Sequence, residues 1–345
     1  MSRRAITLAI AGIGVALSLI VAWTIPVPYI ALIPGPTYNT LGQLNGKPVV
    51  QVQGHATYPT TGHLNMVTIS YIGGPGASPP FTIFAALLAW LSPHEAVVPQ
   101  SEVFPVGQTQ QQVIKTDTQQ MVGSQEAAQA AAFCQLGIRY TTVDTITSLI
   151  KGLPAAGVLR AGDQILAVDG KPIGCRDSAA SMIRARPAGA TVVLTISRNG
   201  GQRRIALRTV AYQGQPVIGV SIAESYTFPF KVKISIGNIG GPSAGMMFAL
   251  AIIDKLTPGN LAGNRFIAGT GEIAANGAVS PIGGIQQKMA GARAAGATIF
   301  LTPAANCPDT AGAVPPGMRL IKVSTLSGAI AALAALKAGA AVPSC

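Results

Sequence analysis

Lys231-Val-Lys-Ile-Ser-Ile236, then Gly240-Gly-Pro-Ser-Ala-Gly245, then Met246-Met-Phe-Ala-Leu-Ala-Ile-Ile-Asp-Lys-Leu256 follow one another along the chain. The first piece alternates polar and apolar residues, as a half-buried strand does. The last is apolar and long enough for a helix, so Ser243 stands at a strand-to-helix turn. Outward from it, Phe266 to Thr270, Ala278-Val279 and Thr298 to Leu301 read as strands. Ile285 to Ala295 reads as a helix closed by Gly296, and Leu326 to Ala338 as a final helix. Strands alternating with helices argue for an α/β or α+β core over residues 213–345.

Upstream, Gly137 to Val210 reads as a separate module. Pro154 to Gly170 holds a short helical turn and then a strand ending at Asp169-Gly170. Ser178 to Arg186 is a helix, and Thr191 to Arg198, Asn199-Gly200 and Arg203 to Val210 form a hairpin. Ala155-Ala156-Gly157, Leu159, Gly162-Asp-Gln-Ile-Leu166 and Val168-Asp-Gly170 resemble a PDZ domain of the bacterial, protease-associated kind. Such domains bind an extended peptide end at a sheet edge. The carboxylate-binding loop has no clear counterpart, and Ser148 to Leu153 are weak candidates for it. Residues 26–120 read as β-rich, with strands at Val49 to Val52 and Leu64 to Ile69. Ser124 to Phe133 is an Ala-rich helix with Ser124 as N-cap.

The 345 residues are 49% hydrophobic and 10% charged, with net charge +12. Soluble domains carry about 25% charged residues, so a disordered or acidic solvating chain is excluded. The basic residues are scattered, with no basic helix and no interleaved aromatics, which argues against nucleic-acid binding. Ala5 to Ile25 is an uncharged run behind Arg3 and Arg4. Its length matches the roughly 20 residues of a membrane span, and the flanking arginines place the N-terminus inside. A cleavable signal peptide is the competing reading, but Pro26 and Pro28 follow where an Ala-x-Ala site would stand. Phe81 to Leu91 is too short to span and reads as a buried helix. The four cysteines permit two disulfides in three connectivities. Sequence neighbourhood favours Cys134–Cys175 and Cys307–Cys345; the alternative is that some are free and buried.

Gly241-Pro-Ser-Ala-Gly245 fits the Gly-x-Ser-x-Gly elbow of α/β-hydrolases, whose histidine base follows the serine. Here His55, His63 and His94 all precede it, so that reading fails. Downstream lies Lys288, flanked by Ile282, Gly283, Gly284, Ile285, Met289 and Ala290, with no acidic residue within ten positions. Those surroundings suit a desolvated amine, which loses its charge near neutrality and can act as a base. Gly240 and Gly241 leave the approach to the helix N-terminus and its free N–H groups open. Ser148-Leu-Ile-Lys151 fits a β-lactamase Ser-x-x-Lys, but neither Ser-Asp-Asn nor Lys-Thr-Gly occurs. His55 and His63 lack a third ligand, so no metal or other cofactor is expected.

Gly241 to Gly245, Gly269-Thr-Gly-Glu-Ile273, Gly277 and Pro281-Ile-Gly-Gly-Ile285 with Lys288 resemble the proteolytic domain of Lon proteases over residues 231–303. With the anchor and the PDZ module, the chain is similar to the membrane-anchored Lon-like PDZ proteases of bacteria (YlbL type). The resemblance implies Ser243 as nucleophile, Lys288 as general base, and Thr270, Gly240 and Gly241 in support. No Gly-x4-Gly-Lys-Ser/Thr loop occurs, which implies proteolysis without ATP. The expected organisation is a transmembrane anchor (1–25), a β-rich region packing on the protease domain (26–124), a PDZ domain (125–212) and a Lon-like α/β proteolytic domain (213–345). The chain is then α+β, a serine endopeptidase outside the cytoplasmic membrane acting on protein or peptide substrates. A ring-like homo-oligomer is left open. The alternative is a catalytically silent scaffold that binds peptide ends.

Overall fold

The computed structural model describes residues 2–105, 107–237 and 239–345. Helix α1 (Arg3–Thr24) has 22 residues, a mean hydropathy of 2.5 over its most apolar 18, and no buried residue. It rises about 33 Å, enough for hydrocarbon about 30 Å thick, and so fits membrane anchoring. It stops before Pro26, which has no N–H to continue the ladder.

Strands β1 (Tyr29–Asn39), β2 (Val50–Gln53) and β3 (His63–Ile72), helix α2 (Ile83–Leu91), strand β4 (Ala96–Pro99) and helix α3 (Gln110–Leu136) follow. β1 pairs antiparallel with β3 and with β4. Its register with β3 slips between Pro34 and Thr37, where Pro34 and Pro36 have no N–H to donate. The helix expected from Ser124 begins instead at Gln110. Thr109 and Gln112 close a reciprocal cap there. Ser124 lies inside α3, and its hydroxyl donates to the Pro242 carbonyl at 2.9 Å. Helix α2, expected to be buried, buries only Ala89. Its small residues, Ala85, Ala86 and Ala89, take the sheet side, which leaves the large ones outside.

Strands β5 (Thr141–Leu149) and β6 (Gln164–Val168), helix α4 (Ala179–Arg184), and strands β7 (Thr191–Arg198), β8 (Gly201–Arg208) and β9 (Val220–Thr227) form the next unit. Its sheet runs β8-β7-β6-β5-β9 around Ile146, Ile165, Leu194, Ile196 and Ile218. Asn199 and Gly200, both at positive φ, make the two-residue hairpin turn. Asp163 is 1% exposed, and the Arg198 guanidinium holds it through two bonds of 2.7 and 2.6 Å.

The last segment holds strand β10 (Lys231–Ile234), helix α5 (Gly245–Leu256), strand β11 (Phe266–Gly269), helix α6 (Ile285–Ala294), strands β12 (Ile299–Pro303) and β13 (Arg319–Val323), and helix α7 (Leu326–Lys337). One sheet runs β13-β12-β11-β3-β1-β4, with β11 parallel to both β3 and β12. Strands from residues 29–99 thus complete a sheet begun by residues 266–323. The period-2 alternation of β3 and β11 divides two layers. Leu64, Met66 and Ile267 face α5 and α3, while Val67 and Ala268 face α6.

Two expected boundaries move. The division at 124/125 falls inside α3, because Ala128, Ala131, Ala132 and Phe133 are buried in the same core as α5. The division at 212/213 excludes β9, which pairs with β5. Disulfides join Cys134 to Cys175 and Cys307 to Cys345.

Candidate active site

Ser243 ends the turn into α5. Gly241 takes φ 86°, which glycine adopts without strain, and its N–H donates to the Asp117 carbonyl of α3 at 2.9 Å. A Cβ on Gly240 would stand 2.6 Å from Asp117 Cβ, and one on Gly245 would stand 2.8 Å from both Ile273 and Ser124. These glycines let the turn lie directly against α3. The turn is tied to the end of β11 as well. The Ser243 carbonyl accepts from Gly271 N–H at 2.8 Å and from the Thr270 hydroxyl at 2.9 Å.

Lys288 occupies the first turn of α6. That helix starts at Gly284, φ 67°, where a Cβ would press on Ile69 at 2.9 Å. Gly291 brings α6 against β1, with the Gly35 carbonyl 2.8 Å from where a Cβ would be. The β1 irregularity at Pro34-Gly35-Pro36 turns that carbonyl toward the helix rather than into the ladder. The loop before α6 is held by Asn306, whose side chain accepts from Ile282 N–H at 2.9 Å and donates to its carbonyl at 3.0 Å.

The result brings Lys288 Nζ to 2.8 Å from Ser243 Oγ and 3.2 Å from Thr270 Oγ1. Lys288 is 3% exposed and Thr270 fully buried. Burial pulls the Lys288 amine down to about 7, because the ammonium form would lose its water with no carboxylate in return. The proton inventory then orients the pair. The Thr270 hydroxyl proton is engaged by the Ser243 carbonyl, so the Thr270 oxygen accepts an amine N–H. A neutral amine can then turn its lone pair toward Ser243 Oγ. Among the described residues, neither the Ser243 nor the Ala244 N–H has a protein acceptor. Both lie at the positive end of α5.

A cleft of about 480 Å³ opens beside the pair, lined by Ser243, Lys288, Ile69, Tyr71, Ile114 and Asp117, with Gly240 and Gly241 at its wall. Ser243, Lys288, Gly240 and Gly241 line this cleft, and Thr270 joins them through its contact with Lys288. Two further residues have no mark in the sequence. Asp117, whose carboxyl burial pushes up, comes from α3, more than a hundred residues before the serine. Asn306 lies beyond the lysine and acts on its loop. Neither belongs to a recognisable motif, and only the tertiary fold joins them to the site. The candidate metal histidines lie elsewhere. His55 stacks on Phe230 and His63 on Phe266.

In the second unit, Ser148 to Leu153 are not an open peptide edge. Gly219 accepts from Ile150 N–H at 2.9 Å, and the Ser148 hydroxyl bonds that of Ser221. The outer strands of that sheet are β8 and β9, the latter entered through Val217-Ile-Gly219 with Gly219 at φ 86°.

Comparison with known proteins matches residues 231–334 to the Lon protease (S16) C-terminal proteolytic domain and residues 134–209 to the PDZ domain. A Lon protease of Roseiflexus castenholzii is 45% identical over 69 residues, 20% of this chain and 8% of that protein. Lon protease 2 of Thermus thermophilus is 42% identical over 133 residues, 37% of this chain and 16% of that protein. The chain therefore spans under a fifth of the length of these relatives. The PDZ domain of an SdrC-like protein from Listeria monocytogenes is 26% identical over 23% of this chain and 85% of that one, with TM-score 0.21. Behind its apolar N-terminal helix, the chain thus carries a PDZ domain and a Lon-type proteolytic domain.

Proposed function

We propose that this protein is a serine endopeptidase working without ATP through a Ser243–Lys288 dyad. The observation that carries the reading is the 2.8 Å approach of a buried amine, pulled down to about 7 by burial, to a serine hydroxyl at a helix N-terminus. Lys288 takes the Ser243 proton as Oγ attacks the substrate carbonyl carbon. The oxyanion forms toward the Ser243 and Ala244 N–H groups. The Lys288 ammonium then protonates the departing amine, and the acyl-enzyme remains. A water gives one proton to Lys288 and attacks the ester carbonyl, and the Lys288 ammonium returns that proton to the Ser243 oxygen as the C–O bond breaks. Thr270 is a positioning residue that keeps the amine aimed.

Anchoring by α1 with Arg3 and Arg4 inside would hold the two domains on the outer face of the membrane. The β9 edge would receive an extended substrate tail by strand addition and hold it near the protease cleft.

The test uses an unfolded model polypeptide. Ser243→Ala and Lys288→Ala should each abolish cleavage while circular dichroism stays that of the parent. Undiminished cleavage by either variant overturns the dyad. A peptide boronate or phosphonate should label Ser243 in the parent; no label, together with tight peptide binding by the PDZ domain, would favour the scaffold reading.

A further inference from the structure

Helix α2 presents Leu87, Leu88, Trp90 and Leu91 to the outside at 50, 54, 72 and 65% exposure. Such a face is costly in water. Its position says what covers it. Val27 N–H donates to the Phe81 carbonyl at 2.9 Å and Ile83 N–H to the Ile25 carbonyl at 3.2 Å, so α2 starts at the height where α1 ends. Trp23 of α1 and Phe84 of α2 lie with ring centroids 5.0 Å apart. The apolar surface of α2 is therefore continuous with that of the span.

Charge follows the same boundary. Between Arg4 and Glu95 the only Lys, Arg, Asp or Glu is Lys47. Lys47 lies past the far end of β1, about 30 Å along the strand from Tyr29. From Ala5 through the end of α2 the chain thus carries no ion except Lys47, and the next carboxylates, Glu95 and Glu102, flank β4 beyond α2. Tryptophan suits the water–lipid boundary, where its ring is buried and its N–H is wet.

We infer that α2 is an interfacial helix, seated in the outer surface layer of the bilayer that α1 crosses, with a lipid surface as its partner. The inference rests on the reading of α1 as a membrane span. It makes the anchor two-legged, so the protease does not swivel freely on one helix. Tyr71, on the cleft wall, is one residue from the end of β3 that pairs with the start of β1. One wall of the cleft therefore lies on the strand end nearest α1.

The chain has two tryptophans, Trp23 and Trp90, and each can be read alone. Full-length Trp23→Phe and Trp90→Phe variants are reconstituted in phosphatidylcholine–phosphatidylglycerol vesicles, with or without phosphatidylcholine brominated on its acyl chains. The expected result is that brominated lipid quenches Trp90 about as strongly as Trp23, while aqueous acrylamide quenches Trp90 weakly. Adding Leu87→Lys and Leu91→Lys should restore Trp90 emission and leave cleavage of a soluble peptide unchanged. Trp23 quenched by lipid but Trp90 only by acrylamide overturns the inference and spares the anchor. Trp90 shielded from both, with chemical cross-linking of neighbouring chains, assigns the face to a second copy and also overturns it. Neither tryptophan quenched by lipid overturns the inference together with the anchor.

Discussion

Thr270 Oγ1 accepts from the Lys288 amine at 3.2 Å while giving its own proton to the carbonyl of Ser243. One hydroxyl thus holds both the Lys288 amine and the backbone of Ser243. Thr270→Val keeps the shape and removes both bonds. It should slow peptide cleavage by roughly 5–30-fold, from about 1–2 kcal/mol of lost orientation, with a smaller change in KM. Thr270→Ser should recover most of the rate. A kcat equal to the parent's in Thr270→Val would show that the hydroxyl does not aim the amine.

The lowered Lys288 value sets a pH profile. The protonated amine cannot take a proton, so kcat/KM should rise tenfold per pH unit below about 7 and level off above it. Lys288→Arg, cationic throughout, should be inactive at every pH. A rise centred near the ordinary lysine value of 10.5 would mean that the amine is not desolvated in solution.

Stability should follow the same group with a defined sign. The folded-state value lies below the unfolded one, so between about 7 and 10.5 the unfolded chain binds the extra proton. This site's contribution to stability therefore rises with pH across that window. Below it, the buried cation or its neutralisation costs most. Lys288→Met should raise Tm near pH 7 while abolishing cleavage, and the gain should shrink toward pH 10. Thermal melts at these pH values check both parts.

Gly291→Ala tests the contact that seats α6. The added methyl would stand 2.8 Å from the Gly35 carbonyl, a backbone atom with little freedom to move. We expect about 1–3 kcal/mol of destabilisation and a larger loss of kcat than of binding, since Lys288 rides on the displaced helix. Denaturant unfolding and steady-state kinetics on one preparation measure both.

The Cys134–Cys175 bond closes a loop of 41 residues between α3 and the PDZ domain. Replacing both cysteines with serine should cost about 3–4 kcal/mol by the loop-entropy relation. It should also loosen the PDZ domain against α3, read as faster amide exchange at Gly137 to Tyr140. Unchanged exchange would show that the packing of Phe133 of α3 against Tyr140 and Phe228 holds this segment without the bond.

Much of this site could be read in the chain because its parts are local. The strand-to-helix turn at Ser243, the glycine pair before α6, and an apolar neighbourhood without acids around Lys288 are patterns within a few residues. The disulfide partners were near neighbours among the cysteines. Long-range features were hidden. The sheet takes β3 between β11 and β1, a pairing across two hundred residues that no periodicity reports. Helix α3 begins fourteen residues before its Ala-rich half, in a polar stretch, Gln110 to Thr118, whose cap lies at Thr109. The exposure of α2 escaped as well, because an all-apolar nine-residue run looks alike in a core and at a lipid surface.

The interleaving of the sheet has a consequence for the newly made chain. Residues 29–99 emerge first, and β3 has no parallel neighbour until β11 is synthesised. Ser243 then precedes Lys288 by 45 positions, and the wall that carries Lys288 needs α6 to close over β1. A half-made polypeptide accordingly cannot bring the two proposed catalytic groups together, and their pairing waits for α6.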